Sequence, residues 1–383
     1  MKIAFDVQNL FEEKKTGIGW TVKMLIEKSI TDENNEYELN YFAFRKRKEK
    51  REFLKQYKRE NTSLQCCAWM PLAFYKRIWN TIPLPYCLFM RKKVEVTQFF
   101  NYFVPPGVKG KKAVFIYDMV WKACPETMDS ETKRFMDENV SIACRRADLI
   151  ITVSEFSKRE IMKYLSIPEE KIGVVYGGVD LERFNTNYKK DQIAEVKSKF
   201  NIDKDYLLYL GTLEPRKNIV KLIKAYAILR EMDDVRDVPL LVIAGKKGWQ
   251  YEEILQIGKE LNIEDSVIFT GYVSDEDAPL LLNGATAFVF PSIYEGFGLP
   301  VLEAMACGTP VIAGNAASLP EVIGDAGILV DPGSETDIAS AMHEMLLNEE
   351  LYYSLRKKGM KRVQGFTWEK NAQTMLNIYK NIL

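Results

Sequence analysis

Short β-rich runs alternate with amphipathic helical stretches along most of the chain. No other feature of the sequence limits the fold as tightly. One set of candidate strands covers 2–7, 38–44, 94–99, 113–117, 149–153 and 172–175. A second covers 206–210, 240–244, 267–270, 287–290, 310–313 and 327–330. Helical patterns such as 218–230 and 251–261 lie between them. Such alternation implies parallel sheets covered by helices on both faces. Two sets predict an α/β protein of two doubly wound domains. Ligands are then expected at the carboxyl ends of the strands and in the cleft between the domains. The length of 383 residues agrees, because a single core rarely serves more than about 250–300 residues. A polar segment at 185–191 marks the division. The expected arrangement is an N-terminal domain over 1–184, a C-terminal domain over 185–365, and a terminal helix over 366–383. The apolar spacing at Trp368, Ala372, Met375 and Tyr379 suits that helix to pack back on either domain.

Composition removes several classes of function. The chain has 53 basic and 53 acidic residues, so overall charge gives no argument for nucleic acid. An apolar content of 47% is that of a folded protein. Residues 3–7 read as a first buried strand rather than a signal sequence, and no run of about 18 apolar residues occurs. Cys66, Cys67, Cys87, Cys124, Cys144 and Cys307 lack metal-ligand spacing and fit a reduced, cytoplasmic setting. His343 is the one histidine, which leaves almost no material for a histidine base or a histidine-rich metal site. No cofactor and no metal are expected.

Residues 288–308 carry the most chemistry. A strand ends near Phe290, and Gly296 and Gly298 let the backbone turn and approach a ligand. Pro300 suits the first turn of a helix closed by Gly308. The free N–H groups of that helix start would favour a phosphate. Glu295 precedes the loop and Glu303 lies eight residues later. One carboxylate can take the paired hydroxyls of a ribose, and the other can meet sugar hydroxyls. An ordinary strand–turn–helix with surface glutamates fits the spacing equally well. A second segment leans toward the functional reading. The strand 206–210 leads into Gly211-Thr212-Leu213-Glu214-Pro215-Arg216-Lys217-Asn218. Arg216 and Lys217 at a strand's carboxyl end are well placed for a diphosphate.

Together these residues resemble the retaining glycosyltransferases of family 4, which have the two-domain GT-B fold. The resemblance is strongest from Tyr209 to Pro332. It includes Gly271-Tyr272-Val273, the Glu295 to Glu303 element and Leu319-Pro320-Glu321. It extends to Thr152–Ser157, Gly177-Gly178-Val179-Asp180, Gly17-Ile18-Gly19 and Phe366-Thr367-Trp368-Glu369. It implies that Glu303 binds the donor ribose and that Glu295 contacts the transferred sugar. Gly296, Phe297, Gly298 and Leu299 would lie near sugar and phosphate. Arg216 and Lys217 would neutralise the departing diphosphate beside Thr212, and Gly271, Tyr272 and Val273 would frame the base. Gly17 and Gly19 would let a loop close over the donor. The expected activity is metal-independent transfer of a hexosyl group from a nucleotide-diphosphate sugar to a glycan or lipid-linked glycan in surface polysaccharide synthesis. The 210–218 wording is similar to relatives that use mannose, which suggests GDP-mannose.

The pattern departs from the family in two places. Tyr117-Asp118 stands where many relatives have His-Asp, and Thr212 stands where many have Arg. Asp118 is then a candidate for meeting the acceptor or donor sugar, or a cap on the turn before Val120. The missing histidine keeps a second class open, a non-catalytic glycosyltransferase-like subunit that binds a nucleotide sugar. A nucleotide-sugar epimerase would want cleft histidines that the chain lacks. Finally, residues 45–60 hold nine Lys/Arg against three Glu, and the tract 74–93 mixes Tyr75, Trp79, Tyr86 and Phe89 with Lys76, Arg77, Arg91, Lys92 and Lys93. This suits peripheral contact with an anionic membrane at the inner face of the cell, or a solvated charged helix.

Overall fold

A computed structural model describes residues 1–12, 17–79, 82–235 and 237–383, and its strands gather in two wholly parallel sheets. The first sheet holds β1 (Lys2–Asp6), β2 (Glu36–Phe42), β3 (Thr62–Cys67), β4 (Val96–Phe99), β5 (Lys111–Phe115), β6 (Leu149–Thr152) and β7 (Ile172–Val174). Its order is β3-β2-β1-β4-β5-β6-β7. The second holds β8 (Tyr206–Leu210), β9 (Leu240–Ala244), β10 (Val267–Gly271), β11 (Ala287–Phe290), β12 (Val311–Gly314) and β13 (Ile328–Val330), in the order β10-β9-β8-β11-β12-β13. Both sheets are doubly wound, and the strand order reverses between β1 and β4 and again between β8 and β11. Crevices open at such reversals, outside the carboxyl ends of the strands.

The strands form where apolar residues run without interruption, because parallel strands are buried on both faces. Every residue of β9 and β11 is buried. The helices show the complementary stripe. In Ile219–Arg230 the buried residues include Ile219, Leu222, Ile223, Tyr226 and Leu229, the i, i+3, i+4 face. Burying each such side chain stabilises the fold by roughly 1.5–3 kcal/mol.

The chain divides into two compact units. One comprises Met1–Met119, Ser130–Gly177 and Trp368–Leu383; the other comprises Val120–Asp129 and Gly178–Thr367. The division therefore differs from a simple break at 184. Val179 forms a parallel bridge with Thr367, and Arg183 donates to Asp275 O at 2.9 Å, which hold residues 178–184 to the second unit. The helix Trp368–Ile382 joins the first unit. Lys28 pairs with Glu369 at 2.6 Å, and Asn371 Nδ2 donates to Gly177 O at 2.9 Å. Strand β3 was not expected from sequence. Its residues Thr-Ser-Leu-Gln-Cys-Cys are polar enough to hide it, as an outer strand permits.

The terminal helix is anchored by a buried polar bond. Tyr379 is fully buried, and its hydroxyl donates to Gln98 Oε1 on β4 at 2.7 Å. Tyr379→Phe leaves that acceptor unsatisfied without changing the packing. The expected cost is about 1–3 kcal/mol, read as a lower urea midpoint.

Candidate active site

The turn after β8 and the turn after β11 flank the reversal in the second sheet, and side chains lock them together. Residues Pro215–Lys217 form one 3₁₀ turn, after which Asn218 takes a left-handed conformation with φ 62°. Its amide donates to Pro291 O at 3.1 Å and to Pro332 O at 2.7 Å. Ile293 N donates to Arg216 O at 2.9 Å, and Ser292 Oγ reaches the same carbonyl at 3.2 Å. Arg216 and Lys217 are thereby placed directly over the loop that carries Glu295.

Glu295 lies at the centre, only 7% exposed. Its Oε1 accepts from Lys217 Nζ at 2.5 Å and from Ser292 Oγ at 2.6 Å, and its Oε2 accepts from Arg216 at 3.0 Å. Arg216 also donates to Tyr294 O at 3.0 Å and pairs with Glu214 at 2.7 Å. Burial alone would raise the pKa of Glu295. Lys217 and Arg216 overcome that and hold it down to about 2. Lys217 is itself buried, 5.0 Å above the Phe290 ring; burial and Arg216 lower its pKa, against the pull of Glu295. Sequence reading found the two cations and Glu295. It missed that they bond to one another across 78 and 79 positions, and it missed Ser292, whose i, i+3 spacing to Glu295 was the available signal.

Downstream, Gly298 caps the helix Leu299–Ala306 with φ 112°, a conformation that L side chains rarely adopt. A Cβ there would also lie 2.8 Å from Leu319 Cδ2. Ser318 Oγ donates to Glu295 O at 2.9 Å and to Phe297 O at 2.8 Å, so the loop's curvature is set from the chain that follows β12. Gly296 and Phe297 are buried, and Leu299 is half-buried.

Glu303 sits in the second turn of that helix and is half-buried. No side chain among the described residues hydrogen-bonds to its carboxylate. Burial raises its pKa to about 7; Arg183 lowers it, while Asp275 and Asp180 raise it. A carboxylate in that state is ready to accept hydroxyl donors. Thr212 contributes its carbonyl to the Tyr209 hydroxyl at 3.1 Å. Gly271 ends β10 with φ 70°, Tyr272 is 58% exposed, and Val273 is buried.

Three expected residues belong to the first unit. Gly17 and Gly19 are not in a loop. They open the helix Gly17–Ser29, where Thr21 Oγ1 donates to Gly17 O at 2.9 Å and Gly19 is buried. The apolar face at Val22, Leu25 and Ile26 buries that helix. Asp118 is half-buried directly after Tyr117. Tyr117 is core: its ring stacks on Phe115 at 4.7 Å and its hydroxyl donates to Phe100 O at 3.0 Å. Burial raises its pKa well above 10, so it keeps its proton at neutral pH. Among the described residues no group of three or more His, Cys, Asp or Glu side chains could hold a metal ion.

Two doubly wound units, one with a glycine turn, a helix start and a buried carboxylate–cation cluster at its strand reversal, define a glycosyltransferase of GT-B fold. The chain belongs to glycosyltransferase family 4. Residues 191–362 match the model of glycosyl transferases group 1, and 97–183 match that of glycosyltransferase family 4. It is 34% identical over 284 residues to the O-antigen chain mannosyltransferase B of Escherichia coli, covering 73% of this chain and 72% of that one. It is 33% identical over 239 residues to the serotype-specific mannosyltransferase WbdA of E. coli, covering 62% of this chain but 29% of the much longer relative. Among solved structures, HepE of Anabaena, in complex with UDP and glucose, superposes with a TM-score of 0.71 over the whole of both chains at 18% identity.

The cluster's energetics are testable. Glu295→Ala leaves two cations side by side, one of them buried, and should destabilise the second unit by about 3–5 kcal/mol. The depressed pKa places this contribution above the ordinary carboxylate range, to be lost as pH falls toward about 2. Acid unfolding followed at several pH values checks both, since Glu295→Ala should flatten that part of the profile.

Proposed function

We propose that the chain is a retaining mannosyltransferase. It moves a mannosyl unit from GDP-mannose to a glycan or lipid-linked glycan acceptor in surface polysaccharide synthesis, without a metal ion. The observation that carries this reading is the pairing, at one strand reversal, of the Glu295–Arg216–Lys217 cluster with Glu303, whose carboxylate takes no side-chain hydrogen bond among the described residues. The mannosyltransferase names of the relatives support the sugar. In this reading Glu303 takes the ribose hydroxyls, and Arg216 and Lys217 stabilise charge as the diphosphate departs. Glu295 holds both cations in place and presents its carboxylate toward the sugar. The backbone at Gly296, Phe297 and Gly298 lies along sugar and phosphate, and Gly271, Tyr272 and Val273 border the base. Asp118 is assigned to the sugar side on the first unit.

The state of Glu303 gives a sharp test. A raised pKa means that its stabilising contribution in the empty protein is present below about 4.5 and lost as pH rises through about 7. A ribose donates to the ionised form, so GDP affinity should climb as pH rises through about 7. Glu303→Gln should abolish that climb and weaken GDP binding by about tenfold. Titration calorimetry with GDP, UDP and GDP-mannose measures this and the choice of base together. Equal, pH-independent affinity in wild type and Glu303→Gln removes the ribose assignment. The commitment of Tyr117 to the core favours weighing a second reading, a subunit that binds the donor without turning it over. Slow hydrolysis of GDP-mannose by the wild type would eliminate it.

We also propose peripheral membrane contact through the first unit. No helix among the described residues is long and apolar enough to cross a membrane. Phe44, Trp69, Phe74, Ile82 and Leu88 are each about half exposed, between 49% and 59%. The basic tract 45–60 adjoins Phe44 in the chain, and its helix Arg47–Phe53 has no buried residue. Apolar side chains among cations suit an anionic lipid surface. Trp69→Ser with Phe74→Ser should reduce co-sedimentation with vesicles containing phosphatidylglycerol by at least about fivefold at low salt. Retention equal to wild type would end the idea.

A further inference from the structure

The first sheet has its own strand reversal, between β1 and β4, and β1 ends there in a carboxylate. Asp6 is 6% exposed, and its Oδ1 has no hydrogen-bond partner among the described residues. It faces a slot walled by Tyr75, Trp79, Tyr86 and Phe103 and by Lys76. Lys76 comes from the helix Leu72–Ile78. Its ammonium lies 4.0 Å above the Phe103 ring and forms no ion pair or hydrogen bond among the described residues. The Tyr86 hydroxyl, also buried, lies beside the Asn40 side chain but makes no hydrogen bond of good geometry among the described residues. A buried carboxylate oxygen and a phenol short of good hydrogen bonds in one slot would each gain from a polar group placed between them, since an unsatisfied buried group costs about 1–3 kcal/mol. The enclosed space is about 10 Å³, room for one water-sized group.

We propose that this slot receives a single hydroxyl of the acceptor saccharide, with the sugar ring resting at its mouth. A hydroxyl is the group that fits, since it donates and accepts at once. Its proton goes to Asp6 Oδ1, and its oxygen accepts from the Lys76 ammonium or the Tyr86 hydroxyl. A bare cation fits less well, because Lys76 already supplies positive charge there. A phosphate is excluded by the buried carboxylate. The helix that lends Tyr75 and Lys76 to the slot also exposes Phe74, 53% open. A lipid-linked acceptor could therefore keep its sugar in the slot and its lipid at the surface. The inference rests on the reading of the chain as a transferase with a saccharide acceptor. It assigns Asp6, Lys76 and Tyr86 to positioning that acceptor.

The test is saturation-transfer NMR on the full chain with GDP present, using methyl α-mannopyranoside and its monodeoxy analogues as probes. Wild type should bind the parent glycoside and lose about tenfold in affinity for one monodeoxy analogue only, the one lacking the slotted hydroxyl. Asp6→Asn should weaken the parent by a similar factor and erase the difference between parent and that analogue. Lys76→Met, at a half-buried helix position, should do the same in part, and it carries the test if Asp6→Asn does not fold. GDP affinity should be unchanged in both variants. Equal binding of all analogues, no glycoside signal in wild type, or wild-type selectivity in both variants would overturn the slot while leaving donor binding intact. Failure of the wild type to bind GDP or GDP-mannose would instead bring down the transferase reading beneath it.

Discussion

The second unit depends on a carboxylate placed between two cations. Lys217 could not stay charged where it lies without Glu295, since an isolated ammonium in a medium of low dielectric pays several kcal/mol of desolvation. Glu295 could not stay ionised there without Lys217 and Arg216. Each charge is tolerable only because the others are present, and the consequence is geometric. Arg216 and Lys217 follow β8, Glu295 follows β11, and their bonds with Ser292 and Asn218 fix those two turns against each other at the strand reversal. The curvature of the 294–298 loop is then finished by Ser318, and Gly298 supplies the one backbone conformation that joins it to the helix Leu299–Ala306.

Both sheets use the same topological device with different chemistry. At the β8/β11 reversal the polar groups are matched to one another almost completely, apart from Glu303. At the β1/β4 reversal one oxygen of a buried carboxylate and a phenol lack hydrogen bonds of good geometry among the described residues, and an ammonium rests on an aromatic ring. A matched cluster is rigid before a ligand arrives, whereas unmatched buried groups gain most when one does. On the two proposed readings, that contrast suits a donor site preorganised for developing charge and an acceptor slot that recognises a neutral hydroxyl.

Much of the fold was legible because its strands are buried on both faces. Runs such as Tyr206–Leu210 and Ala287–Phe290 contain no charged residue and only aliphatic and aromatic side chains, the composition of a strand buried on both faces. β3 was illegible for the opposite reason: Thr62, Ser63 and Gln65 pair only with β2 on one side, so nothing forces its composition to be apolar. The site residues of the second unit were legible as types, because glycines, a proline and two glutamates hold a recognisable spacing. Their bonding was not, since it joins positions nearly eighty residues apart. The glycines at 17 and 19 misled for a local reason. Glycine pairs suggest a loop, but both positions lie within the described helix, whose face at Val22, Leu25 and Ile26 is buried.

The charge balance of the donor cluster limits how it can work. Arg216 and Lys217 are opposed in the empty site by Glu214 and Glu295, so these four groups carry no net charge. A diphosphate is not drawn in by an uncompensated positive patch. On the proposed reading it must take a cation from a carboxylate, and the two cations differ in how readily they can be taken. Lys217 is buried, and among the described residues its ammonium bonds to Glu295 alone, so separation would leave it as an unpaired buried charge. Arg216 has about a fifth of its side chain exposed and divides its guanidinium among Glu214, Glu295 and Tyr294 O. Its planar fork can turn toward phosphate while keeping some of those bonds. On that reading Arg216 is the group whose position would respond to the donor, and Lys217 the fixed charge against which it would turn.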